Sequence, residues 1–125
     1  MKNLLLVFLG GGFGSVLRYG TVIGMARLLP KAFFPWGVFA ANILGSFILG
    51  FLFALPAMKE KSAGPWLFAA TGALGGYTTF STLANDSWLL MLNQHSWLAL
   101  FNAIGSILLG ITAAALGWWA GSKVA

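Results

Sequence analysis

The sequence predicts an all-α membrane protein of four transmembrane helices, the third broken near its middle. Three observations carry this. First, 59% of the 125 residues are hydrophobic and only 7% are charged, whereas a soluble domain carries about a quarter charged residues. No polar surface is left to face water, so lipid is the solvent for most of the chain. Second, a helical span needs about 20 apolar residues, so four spans with short loops use the whole length as one domain, 1–125. Third, one apolar run carries glycines and hydroxyl residues at its centre, where a continuous helix tolerates them poorly.

The first span is expected over residues 3–26. Lys2 before the apolar run Leu4 to Leu9 resembles a secretory signal. However, Gly10, Gly11, Gly12, Gly14 and Arg18 follow, the apolar pattern resumes to Ile23, and no convincing cleavage site intervenes. A retained span is the better reading. Arg27, Pro30, Lys31 and Pro35 then mark a loop. The second span covers 36–57 and is closed by Pro56 and the charged stretch Lys59–Glu60–Lys61. Gly64 and Pro65 open the third, 65–92, and Asn93–Gln94–His95–Ser96 form a polar turn. The fourth covers 97–121. Trp36, Trp66, Trp97, Trp118 and Trp119 fall near span ends, as an interfacial aromatic belt requires. The short loops predict that sequential helices are antiparallel neighbours. Glycines in Gly10-Gly11-Gly12-x-Gly14, Gly45-x-x-x-x-Gly50 and Gly105-x-x-x-x-Gly110 read as close-packing surfaces between helices.

The third span differs from the others. Gly72-Ala73-Leu74-Gly75-Gly76-Tyr77-Thr78-Thr79-Phe80-Ser81-Thr82 places glycines and hydroxyl residues at mid-membrane. Each glycine costs about 1 kcal/mol relative to alanine in a helix, and β-branched threonines add a smaller penalty. A break is therefore expected around Gly75 to Thr79. In hydrocarbon, the backbone groups so freed must be buried in protein, line a cavity or bind an ion. The alternative is a continuous helix whose hydroxyls bond the preceding turn.

The inventory excludes most chemistry. Without cysteine there are no disulfides or thiolate metal sites. The carboxylates are Glu60 and Asp86, and the one histidine is His95. No catalytic triad, carboxylate pair or His-rich metal site can be assembled from these, so an enzyme is not expected. The net charge of +5 comes from seven scattered basic residues, all but Arg18 in or beside loops and ends. That is membrane-headgroup placement, and no nucleic acid is implied.

Several polar residues within spans remain. Arg18 is costly in the first span and either faces an aqueous mouth, where it attracts anions, or snorkels or makes a structural bond to backbone carbonyls. Asn42 is the sole amide of the second span, with donors for an anion path or for an interhelical bond. Asn102 and Ser106 share one face of the fourth span as a short polar stripe. Phe80 and Leu83 occupy the turn after the break, and a phenylalanine ring edge is electropositive. Asp86 lies toward the end of the third span, either as a proton site or as the counter-ion of a basic group.

Together, Gly11-Gly12-x-Gly14-x-x-x-Arg18-Tyr19, Trp36-Gly37-x-x-x-Ala41-Asn42-x-x-Gly45-Ser46 and Gly72-x-x-Gly75-Gly76-Tyr77-Thr78-Thr79-Phe80-Ser81-Thr82 resemble the Fluc (CrcB) fluoride channels over all four spans. The resemblance implies a multi-pass protein of the bacterial inner membrane that exports fluoride passively. It implies an antiparallel, dual-topology dimer with two pores. It also implies a structural sodium ion at the dimer centre, held by the backbone carbonyls of Gly75 and Thr78. By position, Asn42, Phe80 and Ser106 match pore-lining residues, Ser81 and Thr82 the polar positions after the break, and Arg18 the vestibule arginine. Three positions depart from the pattern: Leu83 stands where a second phenylalanine is usual, Gly110 replaces a threonine, and Asp86 replaces a glutamate. These departures leave open one subunit of a heterodimer, although a homodimer is preferred. Lys2, Lys59, Lys61 and Lys123 on one membrane side against Arg27 and Lys31 on the other favour a cytoplasmic N-terminus modestly. A small proton-coupled multidrug-type transporter and a non-transporting assembly subunit are the competing classes.

Overall fold

Helix limits follow the breakers. The computed structural model describes residues 1–125, and every regular element in it is helical. Helix α1, Lys2–Leu28, has 27 residues. At 1.5 Å per residue it is about 40 Å long, more than the hydrocarbon core of about 30 Å, so its ends reach the headgroup zones that suit Lys2 and Arg27. Helix α2, Trp36–Ala54, stops short of the expected 57. Leu55 precedes Pro56 and is extended, at φ −74 and ψ 132, because a proline ring disfavours helical geometry in the residue before it. A 3₁₀ turn, Pro56–Met58, follows. The third crossing is made by two shorter helices, α3 over residues 64–77 and α4, Phe80–Leu92. Helix α5, Ser96–Val124, is 29 residues long. Only α1, α2 and α5 are long and apolar enough to cross a membrane unaided.

Two stretches widen to π-helical turns, Leu67–Leu74 in α3 and Phe101–Gly105 in α5. No sequence signal announced them. Such wide turns recur at functional sites, and here they flank the break and the polar stripe.

Close packing is parallel and skips the chain neighbour. Helix α3 lies against α1, where Gly10 meets the backbone of Phe68 and Gly72, and Gly14 meets Ala73 and Tyr77. A side chain at Gly14 would run into the Ala73 carbonyl. Helix α2 lies against α5 in the same way, with Gly50 on Ala114, Gly117 on Phe47 and Gly121 on Phe51. The chain neighbours α1 and α2 also touch, at Gly37 and Val22. Of the expected packing glycines, Gly10, Gly11, Gly14, Gly45, Gly50 and Gly110 meet neighbouring helices. Gly12 faces open space and Gly105 meets only the Phe101 ring of its own helix. Gly117 and Gly121 were not foreseen; their spacing of four on one helix face was the available signal.

Within one protomer only 22 of 125 residues are buried. The wide apolar remainder requires lipid or another protein as cover.

The α4–α5 turn is a Schellman closure. His95 N–H donates to the Leu90 carbonyl at 2.8 Å and Gln94 N–H to the Met91 carbonyl at 3.0 Å. Gln94 takes the left-handed position, at φ 62, which glycine fills without steric cost. Gln94→Gly is expected to stabilise the protein by about 0.5–1 kcal/mol, read as a higher thermal midpoint in detergent. An unchanged or lower midpoint would refute this.

Candidate functional site

The helix break sits at Thr78–Thr79. Thr78 (φ −84, ψ 156) and Thr79 (φ −154, ψ 121) are extended. Gly75 to Tyr77 remain wound, and Thr78 N–H still donates to the Leu74 carbonyl at 3.0 Å. The glycines therefore do not make the break, contrary to the sequence expectation. Gly76 is needed because the Gly11 backbone of α1 lies against it. The β-branched threonines adopt the extended geometry they favour.

Side chains then tie the opened backbone. Thr79 N–H, which an unbroken helix would aim at the Gly75 carbonyl, donates instead to Asn42 Oδ1 at 2.8 Å. Asn42 Nδ2 donates back to the Thr79 carbonyl at 3.2 Å. Thr79 Oγ1 caps α4 by accepting from Thr82 N–H at 3.3 Å. Arg18 Nη1 donates to the Thr78 carbonyl at 3.3 Å. One turn further along α1, the Thr21 and Tyr77 hydroxyls pair at 3.0 Å.

Beside the break lies an open cleft of about 330 Å³ between α2, α3, α4 and α5. It brings together Asn42, Gly75, Thr78, Phe80, Leu83 and Ser106, and no charged residue lines it. Ser106 Oγ is buried on its wall without a hydrogen-bond partner. Phe80 is 78% exposed and stands out from the protomer, while Leu83 is 8% exposed and forms wall. The N-terminus of α4 opens here, with the partial positive charge of a helix start.

The other expected residues lie elsewhere. Asn102 is 1% exposed and does not line the cleft. Its Nδ2 donates to Ser87 Oγ at 3.1 Å and reaches the Leu83 carbonyl at 3.5 Å, latching α5 to α4, and its Oδ1 is unpartnered. Ser81 is exposed, with its hydroxyl 3.3 Å from that of Thr79. Thr82 lines a second cavity, about 360 Å³, under the α1–α2 loop. Asp86 borders that cavity and a third of about 410 Å³ with His95, whose ring lies 4.6 Å from Phe33. No lysine or arginine lines either cavity. Glu60 is in the loop, where the Ser62 hydroxyl and N–H hold its carboxyl below the usual range.

Ser46 is a cleft residue not singled out from the sequence. It follows Asn42 by four and shares its helix face. Its hydroxyl donates to the Asn42 carbonyl at 2.7 Å. A Cβ at Gly110 would lie 3.5 Å from that oxygen, so Ser46 places a hydroxyl beside the spot where the resemblance led one to expect a threonine.

A neutral cleft with a free hydroxyl, an aromatic edge and a helix start suits a small anion, because nothing in it traps charge permanently. Known proteins resemble this chain over almost its whole length. The family model for CrcB-like protein, Camphor Resistance (CrcB), matches residues 5–118. The chain is 44% identical to the fluoride-specific ion channel FluC of Bacteroides fragilis over 98% of both chains. It is 44% identical to the channel of that name from Phocaeicola vulgatus, over 95% of this chain and 98% of the relative. For that of Thermus thermophilus the identity is 41%, over 99% and 98%.

Proposed function

Because this chain belongs to the CrcB family, we propose that it is a fluoride channel, an ion-conducting membrane protein and not an enzyme. The observation that carries this is the uncharged cleft at a helix break, with the buried Ser106 hydroxyl unpartnered on its wall. A small anion that sheds water there needs donors in exchange. Ser106 Oγ and the second Asn42 Nδ2 hydrogen supply them, and the Phe80 ring edge supplies a weak positive station. Ser81 and Thr82 follow the break, and Thr82 reaches the cavity under the α1–α2 loop.

The functional unit is an antiparallel homodimer in the bacterial inner membrane, with two pores. Two features support pairing. Phe80 projects from the protomer with nothing of its own chain to cover it. A Cβ at Gly75 would meet only the Ala70 carbonyl, at 3.9 Å, so a second backbone has room to approach.

The carbonyls of Gly75 and Thr78 fit a structural sodium ion at the dimer centre. The Gly75 oxygen has lost its helical donor to Asn42, and the Thr78 oxygen keeps a lone pair beside the Arg18 bond. Two copies would offer four oxygens to a hard cation, whose charge would hold the opened carbonyls of both copies together.

Liposomes loaded with fluoride or chloride test the function. Purified protein should release fluoride at once, without a proton gradient, and retain chloride. No fluoride release would refute the channel, gradient-dependent exchange would indicate a proton-coupled transporter, and release only with a related second chain would indicate a heterodimer.

A further inference from the structure

Arg18 makes the bond to a backbone carbonyl that was the alternative to a place at an anion-attracting mouth. Its Nη1 donates to the Thr78 carbonyl, 60 positions away, at 3.3 Å. In the proposed pair of copies, on which this inference rests, that oxygen is also a ligand of the central cation. A carbonyl oxygen has two lone pairs and can serve both, but the two positive groups then crowd each other. A nitrogen 3.3 Å from the oxygen and a hard cation about 2.4 Å from it lie at most about 6 Å apart. Like charges at that separation repel appreciably inside a protein. No carboxylate lines the cleft to offset this, and Asp86 borders other cavities.

We infer that Arg18 and the central cation compete for the Thr78 carbonyl. Arg18 satisfies the opened oxygen in a protomer that holds no ion, and it weakens retention of the ion once two copies have closed around it. Arg18 is partly exposed in the protomer, so its side chain is not locked in place by packing. Register between α1 and α3 does not depend on it. The Thr21–Tyr77 hydroxyl pair and the backbone contacts at Gly10 and Gly14 fix that register independently.

Sodium binding, not conduction, is the direct test. Purified wild type, Arg18→Gln and Arg18→Lys would be compared by radioactive sodium retention and by thermal midpoint against sodium concentration, at constant ionic strength set with a bulky organic cation. Arg18→Gln should reach half-saturation at a sodium concentration about tenfold lower or more, while Arg18→Lys, which keeps the charge, should stay near wild type. Equal or weaker sodium binding in Arg18→Gln would overturn the competition and make Arg18 a residue that positions the carbonyl. Absence of any sodium effect in wild type and variants alike would overturn the central-cation reading and this inference with it. If Arg18→Gln does not fold, a second neutral substitution, Arg18→Met, takes its place. Either neutral variant should bind sodium more tightly than Arg18→Lys, and equal binding would count against competition.

Discussion

Phe80→Ile should cut fluoride flux about a hundredfold while leaving a folded dimer. Phe80 is 78% exposed in the protomer, so isoleucine creates no cavity within one protomer, and a partner covering the position would still meet an apolar side chain, a change mild for stability. Isoleucine keeps an apolar side chain of similar bulk at the cleft mouth. What it lacks is the polarised ring, whose edge meets an anion without a full charge. A hundredfold loss corresponds to about 2.7 kcal/mol on the barrier to permeation. That is a large share of what a partly dehydrated ion gains from one station, and Leu83 on the cleft wall cannot replace it. Flux from liposomes, with the dimer checked by size-exclusion chromatography, reads both halves of the expectation. Normal flux would take Phe80 out of the pathway. A variant that no longer assembles would make it an interface residue only.

Composition was enough to read four crossings, because a chain this poor in charge has no other solvent than lipid. The break was legible for a reason that was half right. Glycine and threonine together marked the segment, but Gly76 serves contact with α1 and the backbone opens at the threonines. A single sequence cannot separate glycine for flexibility from glycine for closeness, since the neighbour that demands closeness is more than 60 positions away. The π-helical turns were illegible for a related reason, because they arise from packing and not from local preference. Of the candidate pore residues, Asn42, Phe80, Leu83 and Ser106 converge on one cleft. Asn102 shares a helix face with Ser106, yet the intervening π turn and the Ser87 hydroxyl draw it into the α4–α5 contact.

Asn42→Ala should lose stability and conduction together. The sequence left Asn42 open between an anion donor and an interhelical bond, and its geometry joins the two. Its amide matches the Thr79 backbone group for group, Oδ1 accepting from N–H and Nδ2 donating to the carbonyl. Alanine leaves both unpaired, at about 1–3 kcal/mol each, and the surrounding hydrocarbon offers no water as substitute. The cheapest repair for Thr79 N–H is the Gly75 carbonyl, which would rewind the helix through the break. Rewinding removes the oxygen offered to the proposed central ion and turns Phe80 away from the cleft, so the pathway closes even where no ion touches Asn42. The thermal midpoint in detergent should therefore drop, and fluoride flux should vanish with it. Asn42→Asp separates the contributions. It still accepts from Thr79 N–H, but it sets a carboxylate against the Thr79 carbonyl and against any anion in the cleft, so it should abolish flux with a smaller loss of stability than alanine. An alanine variant as stable as wild type but non-conducting would make the amide an ion ligand alone. One that is both stable and conducting would mean that the break does not need its staple.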